Sequence, residues 1–420
     1  MVSEGLRREG SSAGIIPILL LAFGLRLGWA LLVPVTPVSD AVVYDLLARQ
    51  IAAGHGYAFS EGNPTVYWPV GPSALYGAFY GLLGAHVWVV ALLNLVMGSA
   101  LVAGIYRLAR LRFGERAARL AGLIAAVWPA WIQFTSALNS ELPFALLLVA
   151  ALLARTEARL PGWARLIVST VLLVAAAYMR PTILPLIVLF PLLDQAYRKP
   201  VRTALHLGLA IAIAAALLAP WAERNRALFG APVLISANFG ANLWMGNNPA
   251  SNGGYMPLPD VETRNEVTRD AYFKERALAF IRTNPGDYLR LCAMRIARSF
   301  DRETIGVVWN QYSIPPRFQP ALKLVSSAYW LTMFLLSLIG VVLFLWKRPT
   351  RIFDPLVVTP GLFAAVALLV VGQDRYHMPM MPFVAIFAAL AIERAMAKRN
   401  AIGSTGWARE ADDSPATTRP

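Results

Sequence analysis

Four residues of this 420-residue chain have the types and the placing to do chemistry: Asp40, Glu141, Arg180 and Arg375. Each lies at the edge of a long apolar run. An ionisable side chain costs about 2.5–3.5 kcal/mol at the centre of a bilayer and less towards its surface. Each alone has a structural explanation. Asp40 and Glu141 can cap the helices that follow them, and arginines at helix ends commonly extend to headgroups. Their coincidence argues for more, because two carboxylates and two arginines fall on one side of a membrane bundle. Two neighbouring carboxylates can divide base work from electrostatic or hydrogen-bonding work, and arginine binds phosphate in bidentate fashion. A phosphate leaving group held by arginine, with a carboxylate taking the proton of an incoming hydroxyl, is the reaction these types suit.

The elements that must position them follow from composition. With 57% hydrophobic and only 15% charged residues, the chain reads as an all-α polytopic membrane protein, not a soluble one. The formal net charge of +14 sits mainly in short loops between apolar runs. That is the pattern of cytoplasmic loops rather than of a nucleic-acid binder. A single cysteine, Cys292, excludes a disulfide framework and a cysteine-based metal site. The first run, Ile15 to Val33, has spanning length and no small-residue cleavage site behind it, so it is expected to stay as the first span.

Ten spans are expected, near 15–34, 86–106, 120–137, 142–154, 165–179, 182–197, 202–221, 324–346, 354–372 and 378–395. Every even-numbered exit is basic, which puts both termini in the cytoplasm and the four charged residues at the outer face of the plasma (inner) membrane. Residues 1–222 form an N-terminal membrane module with its first outer loop at 35–85, and 223–323 a small outer-face domain. Residues 324–397 form the C-terminal spans and 398–420 a disordered tail. Within the first loop, Val43, Leu46, Leu47 and Ile51 recur at helical spacing behind Ser39 or Asp40 as N-cap, and Gly54 can end the helix. The run from Pro69 to Gly84 is too short to cross and reads as re-entrant or interfacial. In the later loop, two amphipathic helices are broken at Asn284-Pro285-Gly286.

On its motifs the chain resembles the C-type (GT-C) multispan glycosyltransferases that use polyprenyl-phosphate sugars. These include the protein O-mannosyltransferases (glycosyltransferase family 39) and the lipid A aminoarabinose transferases. The motifs are Asp40 with Tyr44-Asp45 and Gly54-x-Gly56-Tyr57, Trp68-Pro69-Val70-Gly71-Pro72, Asn139-Ser140-Glu141, Tyr178-Met179-Arg180-Pro181, Asn242 to Asn248, and Arg375-Tyr376-His377. The resemblance implies a GT-C-like fold and an inverting transfer of a sugar from a polyprenyl-phosphate donor. It maps the catalytic aspartate onto Asp40, a second acid onto Glu141, and the donor-phosphate arginines onto Arg180 and Arg375. Tyr44, His55, Tyr57, Trp68, Asn242, Asn247, Tyr376 and His377 are the residues expected beside substrate. The chain departs from the protein mannosyltransferases in having Ala41 after the aspartate, where they have a glutamate, and in lacking their large sugar-binding insert. An envelope glycolipid or glycan acceptor therefore gains weight over a protein.

Partners are a lipid-phosphate sugar, the acceptor and the membrane, with no nucleic acid. No phosphate-cradling glycine loop appears, which argues against a nucleotide-sugar donor. No cofactor is expected, since two separated acids without further ligands would make a weak site for a divalent metal. Trp128 and Trp131, with Tyr57, Tyr67 and Trp68, are expected in an interfacial aromatic belt, and His86 and His206 as packed residues. The competing reading is a flippase for lipid-linked saccharides, which would need charge at mid-span; the span interiors are almost free of it.

Overall fold

A computed structural model describes residues 14–193, 199–346 and 348–412. Helix α1 (Ile16–Leu32) leads to α2 (Asp40–Ala52), a small hairpin of β1 (Ala58–Ser60) and β2 (Asn63–Pro64), and α3 (Val70–Leu83). Then come α4 (Val87–Phe113), α5 (Glu115–Ala126), α6 (Pro129–Gln133), α7 (Glu141–Thr156), α8 (Gly162–Met179), α9 (Pro185–Leu193) and α10 (Pro200–Phe229). The next segment holds α11 (Phe239–Gly246), α12 (Glu266–Thr283), α13 (Pro285–Phe300) and α14 (Ile305–Val308). Helices α15 (Gln319–Leu345), α16 (Pro355–Leu369) and α17 (Met381–Asp412) complete the bundle.

Helices overlap each of the ten expected stretches, several of them running past the expected ends. Among the described residues five helices are long and apolar enough to cross a membrane, or six if α5 and the turn after it count as one bent span. Helices α1 and α16 and the 181–193 stretch are apolar but shorter. Proline sets the bend: the chain turns by 53° between Ala126 and Pro129, because the residue before a proline is pushed out of helical conformation. The carbonyls this break frees are taken up by Arg26, fully buried in the middle of α1. Its guanidinium donates to Ala126 O at 3.2 Å and Ala125 O at 3.5 Å, a cation at a helix C-terminus.

Three expectations change here. Trp128 and Trp131 are fully buried in the core, not in an interfacial belt, and the Trp128 indole donates to Glu303 at 3.1 Å. Asp40 is the first residue of α2, while its N-cap, Ser39, makes no side-chain cap. Helix α17 continues to Asp412, past the 398 boundary of the expected tail, and 413–420 lies outside the described residues.

Two glycines let the first loop pack closely. A Cβ on Gly77 of α3 would lie 2.8 Å from Ala48 O of α2, and one on Gly71 2.5 Å from Tyr178 O at the end of α8. Any side chain there would force the backbones apart. Helix α10 and the 239–308 segment together clasp the same loop. Arg224 of α10 donates to Tyr57 O at 2.8 Å and Thr65 O at 3.1 Å, and Glu266 of α12 accepts from Val66 N at 2.7 Å. Helix α12 opens with an Asn265–Thr268 capping box, and α13 follows directly after Asn284, as expected.

Candidate active site

Asp40 reaches the site through a strained turn. Ser39, at φ 51° and ψ −130°, is the only non-glycine residue with positive φ among those described. Such a conformation costs about 1–3 kcal/mol and persists only where its surroundings impose it. Asp40 Oδ2 accepts from Arg375 Nη1 at 2.6 Å. Burial alone would raise the Asp40 carboxyl, but Arg375, Arg180 and the Trp68 side chain outweigh it and hold the group below the usual carboxylate range.

Glu141 is delivered by a turn that two other helices hold shut. Asn94 of α4 donates to Ala137 O at 2.8 Å and Phe134 O at 3.1 Å, and accepts from Tyr76 of α3 at 2.7 Å. Asn139 then caps α7 through Leu142 N at 2.8 Å. The Glu141 side chain is only 1% exposed. Its Oε2 accepts from Ser140 N and Oγ, both at 3.1 Å, so one oxygen serves the helix start. The other, Oε1, lies 3.1 Å from Arg180 Nη1 and 4.0 Å from Arg375 Nη1. The contact with Arg180 is charge against charge without hydrogen-bond alignment, leaving both buried atoms short of a donor–acceptor partner.

The two arginines arrive by different devices. Arg180 ends α8 in extended conformation at φ −149°, because Pro181 follows it. Arg375 sits in the short connection between α16 and α17, held by hydrogen bonds with the 239–308 segment. Val371 N donates to Asn242 O at 3.2 Å, Gly372 N to Gly253 O at 2.7 Å, and Thr304 N and Oγ1 to Asp374 at 2.8 and 2.7 Å. The Arg180 and Arg375 guanidiniums each lie 5.7 Å from the Tyr376 ring, and Arg375 lies 5.5 Å from that of Trp309. The result is an alternating row, Asp40–Arg375–Glu141–Arg180, floored by Tyr376 and Trp309.

Of the residues expected beside substrate, Tyr44 and Trp68 join Tyr376 in this cluster. Tyr44 is buried one turn along α2 from Asp40; burial first, then the charges of Asp40 and Glu141, push its hydroxyl pKa up. Tyr57 is structural: its hydroxyl donates to Trp68 O at 3.0 Å and so fixes the Trp68-Pro69 turn. The other four lie elsewhere. His55 is exposed and bonded to Gln50 at 2.8 Å. The Asn242 side chain bonds back to Asn238 O at 2.7 Å. Asn247 is fully buried, donating to Leu369 O at 2.9 Å and accepting from Arg295 at 2.8 Å. His377 is fully buried, stacked 3.8 Å from the Trp330 ring and bonded to Ser299 O at 2.6 Å.

Sequence reasoning missed Trp309, Arg295 and Glu303. Arg295, fully buried, donates to Gly246 O and Leu368 O, each at 2.6 Å, and so caps the ends of α11 and α16 together. Its place on an amphipathic helix hid it as one more polar-face arginine. Among the described residues no three His, Cys, Asp or Glu side chains converge as metal ligands, and both site carboxylates are engaged by arginine.

Residues 68–222, just over a third of the chain, match the family described as dolichyl-phosphate-mannose-protein mannosyltransferase. No curated protein matches the sequence. Among solved structures, the archaeal oligosaccharyltransferase AglB of Archaeoglobus fulgidus, in complex with an inhibitory peptide and a dolichol-phosphate, is similar at 14% identity and TM-score 0.54. That match covers 97% of this chain and 52% of AglB, so this chain spans about half the length of its relative. The apo form of the same enzyme gives TM-score 0.55 at 14% identity, over 94% and 52% of the two chains. ArnT of Cupriavidus metallidurans matches more loosely, at 15% identity and TM-score 0.45 over 91% and 78%. At such identities the likeness is one of fold, and the chain is a multi-pass membrane protein with the fold of the GT-C glycosyltransferases.

Proposed function

We propose that the chain transfers a sugar from a polyprenyl-phosphate donor to an envelope glycolipid, glycan or protein acceptor at the outer membrane face, with inversion at the anomeric carbon. The observation that carries this reading is the alternating row of two carboxylates and two arginines, with Asp40 and Arg375 2.6 Å apart and Glu141 and Arg180 3.1 Å apart. The matched family is named for a dolichyl-phosphate sugar, and its span includes Glu141 and Arg180. The AglB structure holds a dolichol-phosphate.

In the mechanism we infer, Arg180 and Arg375 bind the donor phosphate, and Glu141 keeps them aligned. The phosphate competes with Asp40 for Arg375. As Arg375 turns towards it, the influence that depresses the Asp40 pKa weakens, and the carboxylate becomes a better base as the donor arrives. The acceptor hydroxyl then attacks the anomeric carbon from the side opposite the phosphate. The new carbon–oxygen bond forms, the sugar–phosphate bond breaks, and the hydroxyl proton passes to Asp40. Arginine neutralises the charge gathering on the leaving phosphate.

The test uses purified protein, wild type beside Asp40→Asn, with a panel of radiolabelled polyprenyl-phosphate sugars and envelope lipid extract. Label moving to the extract as polyprenyl phosphate is released, in the wild type alone, is the expected result. No transfer from any donor, or equal transfer by the variant, overturns the reading in favour of a lipid-saccharide flippase.

A further inference from the structure

The geometry points to a second phosphate site, at the opposite end of α8 from Arg180, filled by the headgroup phosphate of an anionic lipid. Helix α8 has 18 residues, so its two ends lie about 27 Å apart at 1.5 Å per residue. At the far end a cavity of about 200 Å³ opens between α7, α8, α9 and α10. Arg165 of α8 and Lys199, Arg202 and His206 at the start of α10 line it. His206 thus faces a cavity rather than packed core. A further lining residue, Arg155, already donates to Phe190 O at 3.0 Å and lies over the Phe190 ring, so it forms a wall of the pocket.

Three features make this an anion site. First, Arg165, Lys199 and Arg202 make no ion pair among the described residues, whereas the basic neighbours Arg107 and Arg112 are paired with Glu157 and Asp354. Three cations converging on one cavity repel one another, which favours an anion among them. Second, the Arg202 guanidinium lies against Gly162, the first residue of α8; a Cβ there would sit 3.3 Å from its Nη2. The unpaired first-turn amides of α8 and of α10, the latter those following Pro200, add partial positive charge at the same level. Third, exposed apolar side chains flank the pocket. Trp163 is 64% exposed, Val201 73% and Leu205 68%, a tryptophan anchor beside apolar side chains, as at a membrane surface. A basic pocket between spans with such flanks suits a lipid phosphate.

Full-length protein in neutral detergent is titrated with short-chain phosphatidylglycerol, short-chain phosphatidylcholine and inorganic phosphate. Bound lipid is counted by native mass spectrometry and the unfolding midpoint is followed alongside. Phosphatidylglycerol should bind at low stoichiometry and raise the midpoint, phosphatidylcholine should do neither, and Arg165→Gln/Arg202→Gln should bind at least about tenfold more weakly. The same midpoint rise with inorganic phosphate, lost in the variant, would assign the pocket to a soluble phosphate instead of a lipid. Equal binding by wild type and variant, or an equal response to phosphatidylcholine, overturns the site. Should the double variant not fold, Lys199→Gln/Arg202→Gln, at two exposed positions, replaces it. Sugar transfer plays no part in the readout, so this result stands apart from that of the Asp40 experiment.

Discussion

Helix α8 carries arginine near both ends, and the two ends differ. At one, Arg180 is 15% exposed and faces a carboxylate that is 1% exposed. At the other, Arg165 lines a cavity and makes no ion pair among the described residues. Nearby pairs on that far face, Arg107–Glu157 and Arg119–Glu115, have arginines 39% and 57% exposed. Exposed pairs of this kind contribute about 0–1 kcal/mol, whereas removing one partner of a buried pair costs about 3–5 kcal/mol. Arginine at a span end is therefore ambiguous by itself. A buried acid beside it distinguishes the candidate active site from the cationic far end.

The comparison is tested most severely by Asp40→Asn, which should lower the transfer rate about 10²–10⁴-fold in the radiolabel assay with folding intact. A loss below tenfold would move the base elsewhere. Glu141→Gln should come next. It leaves Arg180 and Arg375 without their shared carboxylate and should cost about 3 kcal/mol in thermal unfolding; a loss under 0.5 would rank the pair with those of the far face. Acidification should separate the ends more gently. The folded Asp40 pKa lies below its unfolded value, so the contribution of its pair is full above about pH 4 and is lost as pH falls through the depressed value. Between pH 7 and 3 the wild-type midpoint should therefore fall more steeply below about pH 4 than that of Asp40→Asn. Smallest of all, Glu157→Gln on the far face should change stability by less than about 1 kcal/mol and leave transfer unaltered.

Much of this was legible in the sequence, for a physical reason. Long apolar runs announce spans, and a charge at the edge of one is costly enough to stand out, so Asp40, Glu141, Arg180 and Arg375 could be picked as a set. What brings them together was not legible. Trp309 and Asn94 act on residues far away in sequence, and nothing local marks them. The residues whose surroundings differ from expectation share a cause too. His377, Asn247 and Trp128 are polar or amphipathic residues close to the ends of apolar runs, where exposure is the default reading. Each is instead buried with its hydrogen bonds satisfied, by Ser299, by Leu369 and Arg295, and by Glu303. Burial of this sort depends on tertiary neighbours, which periodicity does not encode.

The connection that carries Arg375 is laced to the 239–308 segment by main-chain hydrogen bonds from Val371 and Gly372 and by the Asp374–Thr304 contact, while Arg295 pins the end of α16 beneath it. The segment and the loop are one casting. In protein engineering, residues 240–254 could not be swapped between homologues as a free cassette, because the graft would shift an arginine more than a hundred positions downstream. Changes made there would move the Arg375 connection first, and a chimaera that replaces the segment should carry residues 370–377 with it.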